Sequence, residues 1–188
     1  MKDELFIENI LKKGQAAKDK VLRELSPISV EQLNWKPSTG SWSIAECLDH
    51  LLISDSSYFA VLKEITEGNY KMTRWEKFSP LTTLWGNTLK HQLQENVRRK
   101  MTAPKKLTPK TSNKSLDFIR THLENLDLFL SYISKCKEID IDKTIITSPT
   151  IRIATYSLRD AFQFLIQHEH RHINQAIRVK ENTAFPKK

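Results

Sequence analysis

Glycine and proline are scarce, at four and seven in 188 residues. Sandwiches and barrels turn tightly many times and use both residues to do so, which argues against such folds. Cysteine is scarcer still: Cys47 and Cys136 are the only two. Two thiols make no disulfide framework, so a reducing cytoplasm is the expected setting. No run approaches the roughly 18 apolar residues that a membrane span needs. The first residues show neither an apolar core nor a small-residue cleavage pattern, so no secretory leader is expected. Lys2-Asp3-Glu4-Leu5 spells a retention signal that is read only at a C-terminus, so it carries no message here.

Acid is missing from one stretch. The formal charge is +8, and seven positives (Arg98, Arg99, Lys100, Lys105, Lys106, Lys110 and Lys114) follow one another with no acid between them. Pro104, Pro109 and Thr111-Ser112-Asn113 lie in the same stretch, which reads as a loop. It lacks the interleaved aromatics of a nucleic-acid surface. A solvated basic loop is the expected reading, with a loop that meets an anionic substrate as another, and nucleic acid is not an expected partner.

What remains is an ordinary globular composition, 39% hydrophobic and 28% charged, of a length that fits one domain over 1–188. The dominant period is helical. Residues 3–25 carry one apolar stripe, with Leu5, Ile10, Leu11, Val21, Leu22 and Leu25. Ser43-Ile44-Ala45-Glu46 is a capping box that opens a second helix, expected over 44–66 and ended by Gly68. A third is expected over 114–136 and a fourth from Ser157 to about Lys180. Between the second and third, residues 68–112 read as a long crossover holding one short helix near 84–100. Ile145, Ile146, Ile151 and Ile153 flank Ser148-Pro149 and suggest a short extended turn. These elements predict an all-α four-helix bundle with a long crossover between the second and third core helices.

The chemistry concentrates in His168-Glu169-His170-Arg171-His172. Read literally it matches the zinc-protease pattern H-E-x-x-H. The longer form of that motif wants glycine and histidine where this sequence has Gln175 and Arg178. Glu181 is the one later acid, with no further helix to carry it. A third ligand is therefore expected upstream. Helical phase puts His168 and His172 on the apolar face, one turn apart, and turns His170 to the other side. An inward pair at that spacing can converge on one metal ion; the plain alternative is two hydrogen-bonded core histidines. His91 and His122 are expected to be exposed. His50 lies beside the apolar stripe of the second helix among small neighbours, Ser43, Cys47, Ser54 and Ser57. That pattern leaves a hollow beside an imidazole, unless the flank simply faces water.

The stretch WKPSTGSWSIAECLDHL (35–51), followed by LIQHEHRHINQA (165–176), resembles the DinB/YfiT-like superfamily of metal-dependent enzymes. The resemblance rests on Pro37, Trp42-Ser43, a helix bearing His50, and His168-x3-His172 with Arg171 and Gln175, and it spans essentially the whole chain. It implies a four-helix bundle in which His50, His168 and His172 bind one divalent ion, nickel or zinc. It further implies a thiol-dependent S-transferase or a hydrolase acting on a small molecule, with a low-molecular-weight thiol as co-reactant. Glu169 and Asp49, each adjacent to a ligand, are then expected to orient an imidazole or act as a base, and Gln175 to meet substrate. The alternative is a non-catalytic metal-binding stress-response or interaction module. A homodimer is left open.

Overall fold

The structure is a computed structural model that describes residues 3–93, 105–109 and 113–187. Four long helices carry the fold: α1 (Glu4–Leu25), α3 (Ile44–Thr66), α6 (Asp117–Lys135) and α7 (Leu158–Lys180). Between them lie three short helices, α2 (Val30–Asn34), α4 (Arg74–Phe78) and α5 (Thr82–Gln92), a 3-10 turn at Lys105–Leu107, and two strands, β1 (Ile145–Thr147) and β2 (Thr155–Ser157). The protein is mostly helical, as the sparse turn residues imply. Among the described residues no helix is long and apolar enough to cross a membrane.

Local chemistry fixes where the site-bearing helices begin. Ser43 accepts from the Glu46 amide at 3.1 Å, and Glu46 accepts from the Ser43 amide at 2.9 Å. This reciprocal cap sets the start of α3 and so the height of every residue along it. Gly68, at φ 75°, ends the same helix in the left-handed conformation that glycine adopts without strain. At α7, Ser157 accepts from the Asp160 amide at 3.1 Å. The return half of that cap is not made, because the Asp160 carboxylate pairs with Lys90 of α5 at 2.6 Å.

Each long helix packs on two others, in the cyclic order α1, α6, α3, α7. Directions follow from contacts along each pair. His50 meets His172, while Tyr58, further along α3, hydrogen-bonds Tyr156 just before α7, so α3 and α7 are antiparallel. Ser56 meets Asn125 and Phe59 meets Tyr132, so α3 and α6 run parallel. Parallel neighbours cannot be joined by a tight turn, which is why the chain between them is long. The core is one continuous apolar cluster drawn from all four helices.

The crossover differs from expectation. It holds two helices, α4 and α5, in place of one, and the second begins earlier, at Thr82. Residues 94–100 of the expected helix, and most of the basic segment 98–114, lie outside the described residues. The third core helix starts at Asp117 rather than 114. A further short helix, α2, fills the break between the first two long helices, because Ser29 and Gln32 form a capping box of their own. The extended turn is present as an antiparallel pair, with Ile145 opposite Ser157 and Thr147 opposite Thr155.

Gly86 lets α5 lie close on α7: a Cβ there would press into the Asp160 carboxylate. Gly86→Val is therefore expected to lower stability by about 1–3 kcal/mol, as overpacking does, and to loosen α5 from α7. Urea unfolding and limited proteolysis within α5 check this; a variant as stable and as protected as the parent would show that the close approach is not required.

Candidate metal centre

His50 sits in the second turn of α3, and His168 and His172 lie one turn apart in the middle of α7. The antiparallel packing of these helices brings the three rings together, with centroids 4.9, 4.5 and 4.6 Å apart. Their ligand atoms all fall within 4.8 Å of one another. His50 Nε2 and His168 Nε2 face each other at 3.0 Å. Two nitrogens each about 2.0–2.1 Å from a tetrahedral ion sit a little over 3 Å apart, so the pair is close to that spacing.

The tautomer of His50 follows from its partner. Its Nδ1 lies 2.7 Å from the Leu107 carbonyl, which can only accept. The proton is therefore on Nδ1, and Nε2 presents its lone pair to the cluster. A carbonyl anchor of this kind is what a metal-ligating histidine commonly has behind it. Burial lowers the pKa of all three rings: that of His50 falls despite the Leu107 bond, that of His168 falls well below the ordinary histidine value with help from its two neighbours, and that of His172 falls to about 3. The rings are held neutral, the state a metal requires. Trp42 packs on both His50 and His172, at 5.0 and 5.6 Å between centroids.

The cluster opens on a cavity of about 840 Å³ between α3, α5 and α7. Ser54 and Ser57, read from the sequence as leaving a hollow beside His50, line it. Gln175, one turn beyond His172, lines it too. Asp49 and Glu169 take other positions. Asp49 is buried and paired with Lys114 at 3.1 Å. Glu169 is fully buried beside Asp55 of α3, with His122 of α6 at 3.7 Å. His170 lies off the cluster, its Nε2 3.1 Å from the Lys13 carbonyl of α1. His91 is exposed, as expected.

His122 corrects the expectation of an exposed ring: its exposure is 0%. The apolar seam of α6 that meets the core is Ile119, Leu126, Phe129 and Ile133, and His122 continues its alternation of threes and fours. Asp55 falls in the same way between Leu51 and Tyr58 on α3, and Glu169 between Leu165 and His172 on α7. Polar residues at seam positions were the legible sign of this buried layer. Leu107 had none, because it serves through its backbone.

The sequence profile of the DinB superfamily matches residues 14–176. The chain belongs to the DinB superfamily. The uncharacterized protein YuaE of Bacillus subtilis (strain 168) is 30% identical over 165 residues, covering 84% of this chain and 89% of that protein. No solved structure matches.

Burial raises the pKa of both Asp55 and Glu169, and the nearby Asp55 charge raises that of Glu169 further. Two carboxyls buried side by side cannot both ionise without a large cost, so protonation of one is favoured. An acid whose folded pKa lies above its unfolded value contributes stability that is full below the unfolded pKa and is lost as pH rises towards the folded one. Asp55→Asn keeps the shape and supplies a donor that does not titrate. The variant is expected to gain stability over the parent as pH rises from about 4 to about 8, by on the order of 2 kcal/mol at the upper end. Denaturant melts across that range check this; a difference that stays flat or reverses with pH would contradict the raised carboxyl pKa.

Proposed function

We propose that the chain is a metal-dependent DinB-type enzyme, an S-transferase or hydrolase acting on a small molecule, with His50, His168 and His172 holding one divalent ion, nickel or zinc. The observation that carries the reading is the meeting of three neutral imidazoles from two helices at the wall of a large cavity. Three protein nitrogens leave coordination positions open, as catalytic sites do and closed structural sites do not. The ion would supply Lewis acidity, stabilising a thiolate or polarising the electrophile.

The chain's own residues set the conditions for that chemistry. Leu107 holds the His50 ring, Trp42 closes one side of the cluster, and Gln175 is the proposed substrate contact. Asp49, tied to Lys114 just before α6, is proposed to brace α3 behind His50, and Glu169, buried beside Asp55 of α3, to set α7 against α3. Neither cysteine supplies the nucleophile: both are buried, and burial pushes the Cys47 thiol up and that of Cys136 up to about 12. A low-molecular-weight thiol from solution is the proposed co-reactant, and a reducing cytoplasm the proposed compartment. In the transfer its sulfur bonds the electrophilic carbon as the leaving group departs with the bonding pair, and the thiol proton passes to solvent.

Untagged protein is expected to bind about one zinc or nickel ion per chain. His50→Ala, His168→Ala and His172→Ala should each weaken binding by at least about 100-fold, beyond the loss typical of an outer partner, while His170→Ala changes it little. Isothermal titration checks this, and absence of binding, or equal losses from all four variants, would contradict the site. Consumption of a small thiol with an electrophile, lost on chelation and restored by metal, tests the activity. Metal binding without such turnover would favour the non-catalytic metal-binding module.

A further inference from the structure

The cavity is charged in one sense. Arg171 and Arg178 line it along with the three histidines, and among the described residues no aspartate or glutamate does. Neither arginine has a carboxylate partner among the described residues; Arg171 donates one bond, 2.7 Å, to the Gln92 carbonyl at the end of α5. That bond holds the guanidinium at the wall, and among the described residues its other donors have no partner. Burial and the like charge of Arg178 both oppose the charged form of Arg171. Arg171, partly buried, is the costlier of the two, and an anion at the wall would offset that cost.

The lining also includes the apolar side chains of Trp42, Trp85, Leu89 and Phe164. The Trp85 indole N–H is buried and has no acceptor. Gln175 and Arg178 lie three and six residues beyond His172 on the same helix, or about 4.5 and 9 Å along its axis.

We infer that the cavity takes a small organic anion, with its oxyanion group, a carboxylate or a phosphate, held by Arg171 and Arg178 beside Gln175, its apolar body against Trp42 and Trp85, and its reacting end at the three histidines. The inference deepens the proposed enzymatic reading and rests on it for the reacting end alone. The arginines supply charge-assisted, forked donors suited to either oxyanion. Arg178, about 9 Å along α7 from His172, sets the outer limit, so the anionic group stands within about 10 Å of the atom that reacts.

The test titrates the full chain with benzoate and phenyl phosphate against neutral benzamide and cationic benzylamine, followed by tryptophan fluorescence and calorimetry. It is run on chelator-treated and on zinc-loaded protein. In chelator-treated protein, at least one anion is expected to bind about tenfold or more tighter than benzamide and benzylamine, the scale of one charge-assisted contact. The tighter of the two anions identifies the oxyanion. Arg178→Gln, at an exposed position where folding is not at risk, should reduce that preference several-fold, and Arg171→Gln with Arg178→Gln should abolish it. Equal binding of benzoate, phenyl phosphate and benzamide overturns the inference, as does a preference that survives in Arg178→Gln, or one seen only with zinc, where the anion would be a ligand of the ion. An arginine-dependent preference in a protein that binds no metal supports the anion site and sinks the metalloenzyme reading instead.

Discussion

The antiparallel contact of α3 with α7 is the constraint on which the rest depends. His50 approaches the α7 histidines because the Ser43–Glu46 cap fixes where α3 begins and the Ser157 cap fixes where α7 begins. Moving either helix by one turn, about 5.4 Å, would carry His50 past its partners. Burying three imidazoles against one another costs free energy unless their nitrogens are satisfied. Leu107 satisfies one, and His168 Nδ1 and His172 Nδ1 are buried with no partner. The packing accepts that cost at the edge of a cavity, where a purely structural seam would carry leucine.

Next to the histidines along α3 and α7 lies a second polar layer, Asp55, Glu169 and His122, one residue from each of three helices. None of the three lines the cavity, and the layer sets the Asp55 carboxyl of α3 beside the Glu169 carboxyl of α7. The pKa of His122 is lowered by burial to about 4, so it enters the layer uncharged. A buried polar layer that must pair in one way penalises slippage more sharply than apolar contacts do. The register that aligns the three histidines is thereby reinforced from within the core, by residues that do not line the cavity.

Much of this was legible in the sequence. The capping box at Ser43, the stop at Gly68 and the four apolar stripes placed the long helices to within a few residues. The i, i+4 spacing of His168 and His172 separated them from His170. The small neighbours of His50 marked the hollow. Helix direction was not legible, because either sense can align rings at a suitable offset. His122 was misplaced because Leu123 and Leu130 suggest an alternative stripe on α6, and both phases are apolar. The crossover was read too simply: α4 and α5 are short, their stripes are weak, and α5 is held by the tertiary Lys90–Asp160 pair. Leu107 acts through a carbonyl, which no side-chain pattern announces.

The central claim is that His50, from a distant helix, shares one ion with His168 and His172. X-ray absorption at the metal edge of zinc- or nickel-loaded untagged protein tests it most directly, with His50→Ala measured beside the parent. The account predicts imidazole scattering from three nitrogens at about 2.0–2.1 Å plus lighter donors in the parent, falling to two imidazoles or to no bound metal in the variant. A parent spectrum with two imidazoles or fewer, or one unchanged by His50→Ala, would contradict it.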